Sequence, residues 1–152
     1  MKKISVPTLL LAVSSFPFAN AATVSSSMLT LEQAKVFAGK AEQCAKKKNW
    51  HVSIAVVNSE GNLVYFQRDE LAYSGSIESA IQKAKSSNAF QRPTRAFVDA
   101  VKDGRTGILT GKDVVAIEGG IPLSFGGKHL GAIGLSGAKA VEDEECAKTA
   151  LD

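Results

Sequence analysis

The 152-residue chain is 45% hydrophobic and 22% charged, which predicts one compact domain with its own core. Its 18 Lys and Arg residues against 15 Asp and Glu residues give a net charge of +3. That charge is too small for a protein that selects its partner through phosphate groups. The composition therefore argues against a second domain and against a nucleic-acid partner.

The first residues have the pattern of a secretory signal peptide. Lys2-Lys3 precede an uncharged, mostly apolar run from Ile4 to Phe18, and Ala19-Asn20-Ala21 supplies small residues for cleavage. The apolar run spans about 15 residues, whereas a membrane helix needs roughly 20. We therefore expect a signal peptide at 1–21 and a mature domain at 22–152 that has no membrane span and is periplasmic or secreted.

Two cysteines, Cys44 and Cys146, remain in the mature chain. An even number of cysteines outside the cytosol allows a disulfide. The alternative is that each is a small buried residue near the inner face of a helix. Neither has a second cysteine or histidine two to four positions away, so neither has the spacing of a zinc ligand.

The mature chain begins with a helix and a hairpin. Thr30 and Gln33 have the spacing of a capping box, and the apolar residues that follow recur at helical spacing. Two segments rich in β-branched and aromatic residues, Val52–Val57 and Leu63–Arg68, are separated by a short loop that contains glycine. This arrangement predicts two antiparallel strands.

One or two more helices are expected before a loop. The second helix is predicted over Ile77–Phe90, and Pro93 prevents it from continuing. Thr94 is expected to cap a short third helix that Gly104 closes. The stretch Arg105–Asp113 has the composition of a loop.

The last third of the chain predicts three short strands and a final helix. The strands are expected over Val114–Ile117, Gly120–Phe125 and Lys128–Gly134, with Gly126-Gly127 as a tight hairpin turn. Gly131 and Gly134 indicate that another element packs closely over the third of these strands.

The final helix is expected over Ala140–Leu151. The acidic residues 142–145 lie in its first turns, where they either complement the helix dipole or, alternatively, bind a metal. Together the elements predict an α/β fold of the α+β type, with a mainly antiparallel five-stranded sheet covered by helices.

Several enzyme signatures are missing. The segment Gly107 to Lys112 has three residues between its glycines where a phosphate-binding loop has four, and Asp113 follows where Ser or Thr is required. There is no dinucleotide-binding glycine fingerprint and no nucleophile elbow. His51 and His129 are the only histidines and are far apart, so a zinc centre is not expected.

Two segments next to helix and strand boundaries have site-like residues. Arg92 precedes Pro93 and Thr94, and an arginine there can bind a carboxylate or phosphate through two hydrogen bonds. Glu118 precedes Gly119-Gly120, where the absence of side chains lets a ligand or another backbone approach. The alternative is that Arg92 and Glu118 belong to an ordinary ion pair and that the glycines only allow a turn.

Residues 30–152 resemble the heme-degrading domain family of GlcG-like and HbpS-like proteins. The similarity rests on five segments, of which any one alone is unspecific: Val52–Val57 with Gly61; Ala84–Phe90 leading into Arg92-Pro93-Thr94; Glu118–Pro122; Gly131–Gly137; and Asp143-Glu144 with Cys146-Ala147. The segment Arg68–Tyr73 departs from the family pattern, because a methionine and a glycine usual there are missing.

The resemblance implies a profilin-like fold, a homo-oligomer, and heme as the ligand of some members. It adds Lys83, at a position typical of the family, to the expected ligand-binding residues Arg92, Thr94, Glu118, Gly119 and Gly120. Five side chains are of types that can bind heme iron, but none matches a family motif: Met28, His51, Tyr65, Tyr73 and His129.

Three functions remain open from the sequence. The leading hypothesis is a periplasmic or secreted protein that binds a small ligand of the heme type. The second is an enzyme or binder that acts on a small organic acid, with Arg92 holding a carboxylate and Glu118 acting as acid, base or acceptor. The third is an interaction protein without a ligand.

Overall fold

A computed structural model describes residues 28–152, so the signal-peptide prediction lies outside the described residues. The first half contains α1 (Leu31–Lys47), β1 (Ser53–Asn58), β2 (Leu63–Arg68) and α2 (Gly75–Phe90). The second half contains α3 (Arg95–Lys102), β3 (Gly120–Phe125), β4 (Lys128–Ser136) and α4 (Ala140–Lys148), with short 3₁₀ turns at Thr106–Thr110 and Thr149–Leu151. No helix among residues 28–152 is long and apolar enough to cross a membrane.

Within residues 28–152 the sheet has four antiparallel strands, in the order β2-β1-β4-β3. The α+β class is confirmed, but the prediction of a fifth strand at Val114–Ile117 is wrong. The backbone N–H of Val115 donates to Ser86 Oγ on α2 at 3.0 Å, so this segment is fastened to a helix instead of a strand. Asp113, just before it, has a φ of 66° and turns the chain.

Helices cover both faces of the sheet. The larger core lies between the sheet and α1 with α4, and it includes Ile54, Val56, Ile133 and Leu135. On the opposite face α2 packs against β1 and β4 through small residues. A Cβ at Gly134 would lie 2.5 Å from the backbone N of Ala84, which confirms that another element packs closely over this glycine.

The predicted local signals are present at α1 and at both hairpins. The Thr30 side chain accepts the Gln33 N–H, and the Gln33 side chain accepts the Thr30 N–H, as a capping box requires. Gly126 and Gly127 have φ values of 56° and 76°, which a two-residue hairpin turn needs.

A disulfide joins α1 to α4. Cys44 and Cys146 are paired, with their Cα atoms 5.4 Å apart, so of the two alternatives the structure has the bonded one. The final helix is shorter than expected, because the chain tightens into a 3₁₀ turn at Thr149.

Candidate functional site

Most of the residues predicted for a site meet where β3 begins. Lys83, Thr94, Glu118, Gly119 and Gly120 are all buried there, and we call them the β3 cluster. A Cβ at Gly119 would lie 3.0 Å from Lys83 Nζ, and a Cβ at Gly120 would lie 2.6 Å from Thr94 Cγ2. The two glycines therefore allow protein groups to approach each other, and the space above them is filled by α2 and by the start of α3.

Lys83 is held by partners inside the protein. Its side chain is 1% exposed, and Nζ donates to Asp143 Oδ2 at 2.9 Å and to the carbonyl oxygen of Leu135 at 2.8 Å. The other carboxylate oxygen of Asp143 accepts the Ala138 N–H at 3.0 Å. Burial raises the pKa of Asp143 above its usual value, while the charge of Lys83 opposes that rise.

Thr94 completes the outer edge of β3. Its backbone N–H donates to the Gly120 carbonyl oxygen at 3.0 Å, and its hydroxyl oxygen accepts the Gly120 N–H at 3.0 Å. The expectation that the Thr94 side chain caps α3 is therefore wrong. Thr94 has helical backbone angles, and its hydroxyl is used by β3 instead.

Glu118 lies near a second group of charges, which the sequence did not reveal. Arg95 Nε donates to Glu144 Oε2 at 2.7 Å, and Lys148 Nζ lies 2.6 Å from Glu144 Oε1. Glu144 is 2% exposed, so its carboxylate is buried but has two cationic partners. Glu144, and to a smaller extent Glu118, raises the pKa of the Arg95 guanidinium above its usual value.

Arg92 is not part of this arrangement. It is exposed, and its Nε donates to the carbonyl oxygen of Phe90 at 3.3 Å, back toward the end of α2. Among residues 28–152, Arg92 and Glu118 form no salt bridge with each other. Neither residue lines any of four grooves that residues 28–152 form.

The acidic residues at the start of α4 have separate partners. Glu142 accepts the Lys139 N–H at 3.0 Å and Glu145 pairs with Lys48 Nζ at 2.8 Å, while the two residues between them bind Lys83 and Arg95. Within the described range, no group of three or more acidic, histidine or cysteine side chains is placed to hold a metal. Three of the four acids therefore join α4 to its neighbours, and Glu142 caps the start of α4 itself.

One sequence signal could have indicated a buried acid. Lys83 lies between Ala80 and Ala84 on the buried side of α2, and a lysine on such a face requires an anionic partner. The partner is 60 residues away along the chain, so the sequence does not select Asp143 among the many acids. Nothing comparable points to Arg95, and Glu144 is indicated only as part of the Asp143-Glu144 motif.

Exposed apolar side chains line a groove beside α1. Val36 and Phe37 of α1, Phe125 at the end of β3, and Leu151 after α4 contribute to a depression of about 470 Å³, which we call the α1 groove. Phe125 is 70% exposed and Val36 is 57% exposed. Large apolar groups that face solvent together mark an interaction or ligand site more often than single ones do.

A second groove adjoins the first. It has about 510 Å³ and shares Lys40 and Asp152 with the α1 groove; Lys47 and Lys48 also line it, and we call it the lysine groove. Lys48 pairs with Glu145, whereas Lys40 and Lys47 have no salt-bridge partner in the described part of the chain. An apolar depression thus continues into one that is lined by the unpaired Lys40 and Lys47 and also by the acidic Glu145 and Asp152.

Among residues 28–152, neither groove is lined by a side chain suited to bind heme iron. His51 Nδ1 lies 2.9 Å from Asp69 Oδ1, and His129 Nε2 lies 2.7 Å from Asn88 Oδ1. Tyr65 donates its hydroxyl to Gln67, while Tyr73 and Met28 are exposed elsewhere. These five side chains therefore lie outside both grooves, within the part of the chain that the structure describes.

The profile of a family described as haem degrading protein HbpS-like matches residues 29–152. The chain belongs to the HbpS-like family. The match includes every described helix and strand, so the resemblance drawn from the sequence motifs is confirmed.

Relatives of this family cover most of the chain. Protein GlcG of Escherichia coli strain K12 is 32% identical over 110 residues, which are 72% of this chain and 81% of GlcG. The crystal structure of an HbpS double mutant from Streptomyces reticuli is 28% identical, with a TM-score of 0.74, and covers 92% of this chain and 96% of that one. A crystal structure of a PduOC:heme complex is 26% identical, with a TM-score of 0.74, and covers 82% and 93%.

The loop that departs from the family pattern follows β2. Arg68 Nε donates to the carbonyl oxygen of Ala72 at 3.0 Å, and Asp69 accepts the Leu71 N–H at 2.9 Å. The loop therefore folds onto itself and holds its own arginine. Leu71 and Tyr73 remain 74% and 57% exposed beside it.

Proposed function

We propose that this HbpS-like protein binds heme in the α1 groove after export to the periplasm or the exterior. The observation that carries the proposal is the exposed apolar lining of this groove beside the unpaired Lys40. Heme has a matching chemistry, because its macrocycle is flat and apolar and its two propionates are anionic. The heme complex of PduOC supports the ligand class.

The contacts expected for heme follow from the lining. Phe125, Val36 and Leu151 would cover one face of the macrocycle, and Lys40 with Lys47 would pair with the propionates. Since neither groove supplies an iron ligand, the porphyrin and its carboxylates carry the affinity. No reaction at the iron is derived from these residues.

A hemin titration of the mature protein tests the groove. Trp50 is the only tryptophan, so hemin binding can be followed by quenching of its fluorescence as well as by the Soret band. Phe125→Asp removes a buried apolar contact of about 1.5–3 kcal/mol in the complex, which corresponds to roughly 10- to 100-fold weaker binding. The matched control is Leu71→Asp, because Leu71 is equally exposed but lies outside the groove.

The charge requirement has its own pair of variants. Lys40→Glu should weaken hemin binding at least several-fold and reduce its salt dependence. Lys112→Glu changes the same charge in an exposed loop and should leave binding unchanged. Equal effects of the two substitutions, or no saturable binding by the parent protein, would refute the proposal.

Metal-free protoporphyrin IX distinguishes porphyrin recognition from iron ligation. Because no iron ligand lines the α1 groove, protoporphyrin IX should bind within a few-fold of hemin. A loss of more than a hundredfold without iron would mean that a side chain of this protein ligates the metal.

A small organic acid held by Arg92 and Glu118 is the alternative to heme. It would be favoured by a closed polar pocket that contains both residues, and none of the four grooves described above among residues 28–152 includes either of them.

Export is tested separately, by sequencing the amino terminus of the protein recovered outside the cytoplasm. Cleavage after Ala21 is expected, and an intact Met1 would contradict it.

A further inference from the structure

Glu118 is a buried acid without a hydrogen-bond partner in residues 28–152. The residue is 8% exposed, and its carboxylate forms neither a hydrogen bond nor a salt bridge within that range. No fully buried side-chain oxygen or nitrogen there lacks a partner, so the unpaired Glu118 oxygens keep contact with solvent. A carboxylate that loses most of its water without gaining a donor costs stability. A ligand that supplies the donor would recover that cost.

Arg95 lies next to Glu118 and has unused donors. The residue before it, Thr94, forms two hydrogen bonds with the backbone of Gly120, two residues after Glu118. Glu118 contributes to the raised pKa of the Arg95 guanidinium, although Glu144 contributes most. Arg95 Nε donates to Glu144, but its two terminal nitrogens donate to no residue of the described chain. The guanidinium can therefore bind a further anionic group.

Lys148 extends this positive charge. Its Nζ lies 2.6 Å from the second carboxylate oxygen of Glu144 and retains further N–H donors. The side chains of Arg95 and Lys148 are 40% and 55% exposed, so a ligand can reach both. The start of β3 thus has a recessed acceptor beside exposed donors of opposite charge.

The charges around Glu118 select the class of ligand. The two carboxylates of Glu118 and Glu144 are balanced by the cations of Arg95 and Lys148. Asp99, which is exposed one turn further along α3, adds a negative charge. An anionic ligand would increase this negative excess, whereas a ligand with one ammonium and one carboxylate group leaves it unchanged.

We propose that Glu118 and Arg95 bind a small zwitterion of the α-amino acid class. The ligand's ammonium group donates to the Glu118 carboxylate, and its carboxylate accepts from the terminal nitrogens of Arg95. One carbon separates the two groups in such a ligand, which suits side chains that are neighbours but form no salt bridge with each other. The inference does not rest on heme, because neither residue lines the α1 groove or the lysine groove.

An NMR titration of the mature protein with L-alanine tests the site. The amide shifts of Arg95 and of residues 118–119 should change in a saturable way. L-Lactate has a hydroxyl in place of the ammonium group, and L-alaninamide has no carboxylate. Each should bind at least about tenfold more weakly than L-alanine, because each loses one charge-assisted contact.

Glu118→Gln separates a binding role of the carboxylate from a structural one. The substitution keeps the size of the side chain but removes its charge, so L-alanine should bind at least about tenfold more weakly. Its melting temperature should equal or exceed that of the parent, because no protein partner is lost. The matched control is Glu70→Gln, which changes an exposed acid elsewhere and should leave L-alanine binding unchanged.

Three results would overturn the proposal. The first is the absence of saturable shift changes with L-alanine at millimolar concentration. The second is binding of L-lactate as tight as that of L-alanine, because the ammonium group would then contribute nothing. The third is a Glu118→Gln protein that binds L-alanine like the parent, or that melts several degrees lower. Hemin affinity should be the same in Glu118→Gln and the parent, so the outcome for heme is measured separately.

Discussion

Gly120→Ala distinguishes a packing role of the β3 cluster from a ligand-binding role. The added Cβ would lie 2.6 Å from Thr94 Cγ2 and against the carbonyl oxygen of Lys83. Gly120 does not have a positive φ, so the substitution costs only steric repulsion and adds no backbone strain. Lys83 lies inside α2 and Thr94 lies at the start of α3, so neither can move away without loosening the packing of its helix.

The expected cost is that of overpacking a tight contact, about 1–3 kcal/mol. For a domain of this size such a loss lowers the melting temperature by roughly 3–10 °C. Hemin affinity should stay within about twofold of the parent value, because Gly120 lines neither groove.

Calorimetry and hemin titration of the same sample give the two readouts. Gly39→Ala is the control, because its Cβ would meet nothing within 4 Å in the middle of α1, and it should stabilise the protein by about 0.5–1 kcal/mol. A Gly120→Ala protein that melts like the parent but binds hemin tenfold more weakly would refute the reasoning. Such a result would mean that the ligand binds at the β3 cluster.

Three further predictions concern stability. Lys83→Met should lower the free energy of unfolding in urea by about 3–5 kcal/mol, because it leaves the Asp143 carboxylate buried without its cation. Adding Asp143→Leu should recover most of that loss. Equal losses for the single and the double variant would contradict this prediction. Removing the disulfide by Cys44→Ala with Cys146→Ala should cost about 4–5 kcal/mol, since it closes a long loop; an unchanged urea midpoint would contradict it. Burial lowers the pKa of His129 below its usual 6.5, so stability present above pH 6.5 is lost as the pH falls through the lowered value. His129→Gln should therefore reduce the fall in melting temperature between pH 6.5 and about pH 5, and an unaltered pH profile would exclude this histidine as the cause.

Local signals in the sequence were sufficient for most elements of the fold. The capping box of Thr30 and Gln33 and the paired glycines 126 and 127 act through neighbouring residues, so the sequence contains the whole cause. The tight packing over Gly134 was also indicated, because a glycine inside a strand has few other reasons to be there.

The prediction of a fifth strand is wrong for a reason that lies outside the segment itself. Val114–Ile117 has the β-branched composition of a strand, but a strand also needs an edge to pair with. Thr94 already satisfies the N–H and the carbonyl of Gly120 on the outer side of β3, and Val115 donates to Ser86 on α2 instead. The composition of a segment does not show which strand edges of the sheet are available for pairing.

The candidate site was only partly predictable for the same reason. The motifs and the resemblance single out Lys83, Arg92, Thr94 and Glu118–Gly120 as binding residues. The structure brings Lys83, Thr94, Gly119 and Gly120 into contact and leaves Arg92 outside. Their partners Asp143 and Arg95 come from elements that the sequence could not position. The sequence does not predict the α1 groove, because its lining comes from three distant segments whose apolar residues resemble ordinary core positions.

The most direct test of heme binding in the α1 groove is an NMR titration of the mature protein with gallium protoporphyrin IX, a diamagnetic analogue of hemin. The amide chemical shifts of the groove residues should change most, namely Val36, Phe37, Phe125 and Leu151. The amide shift of Lys40 should also change, because its side chain pairs with a propionate. Shifts concentrated on Thr94 and on 118–120, with the α1 groove unaffected, would contradict the proposed site.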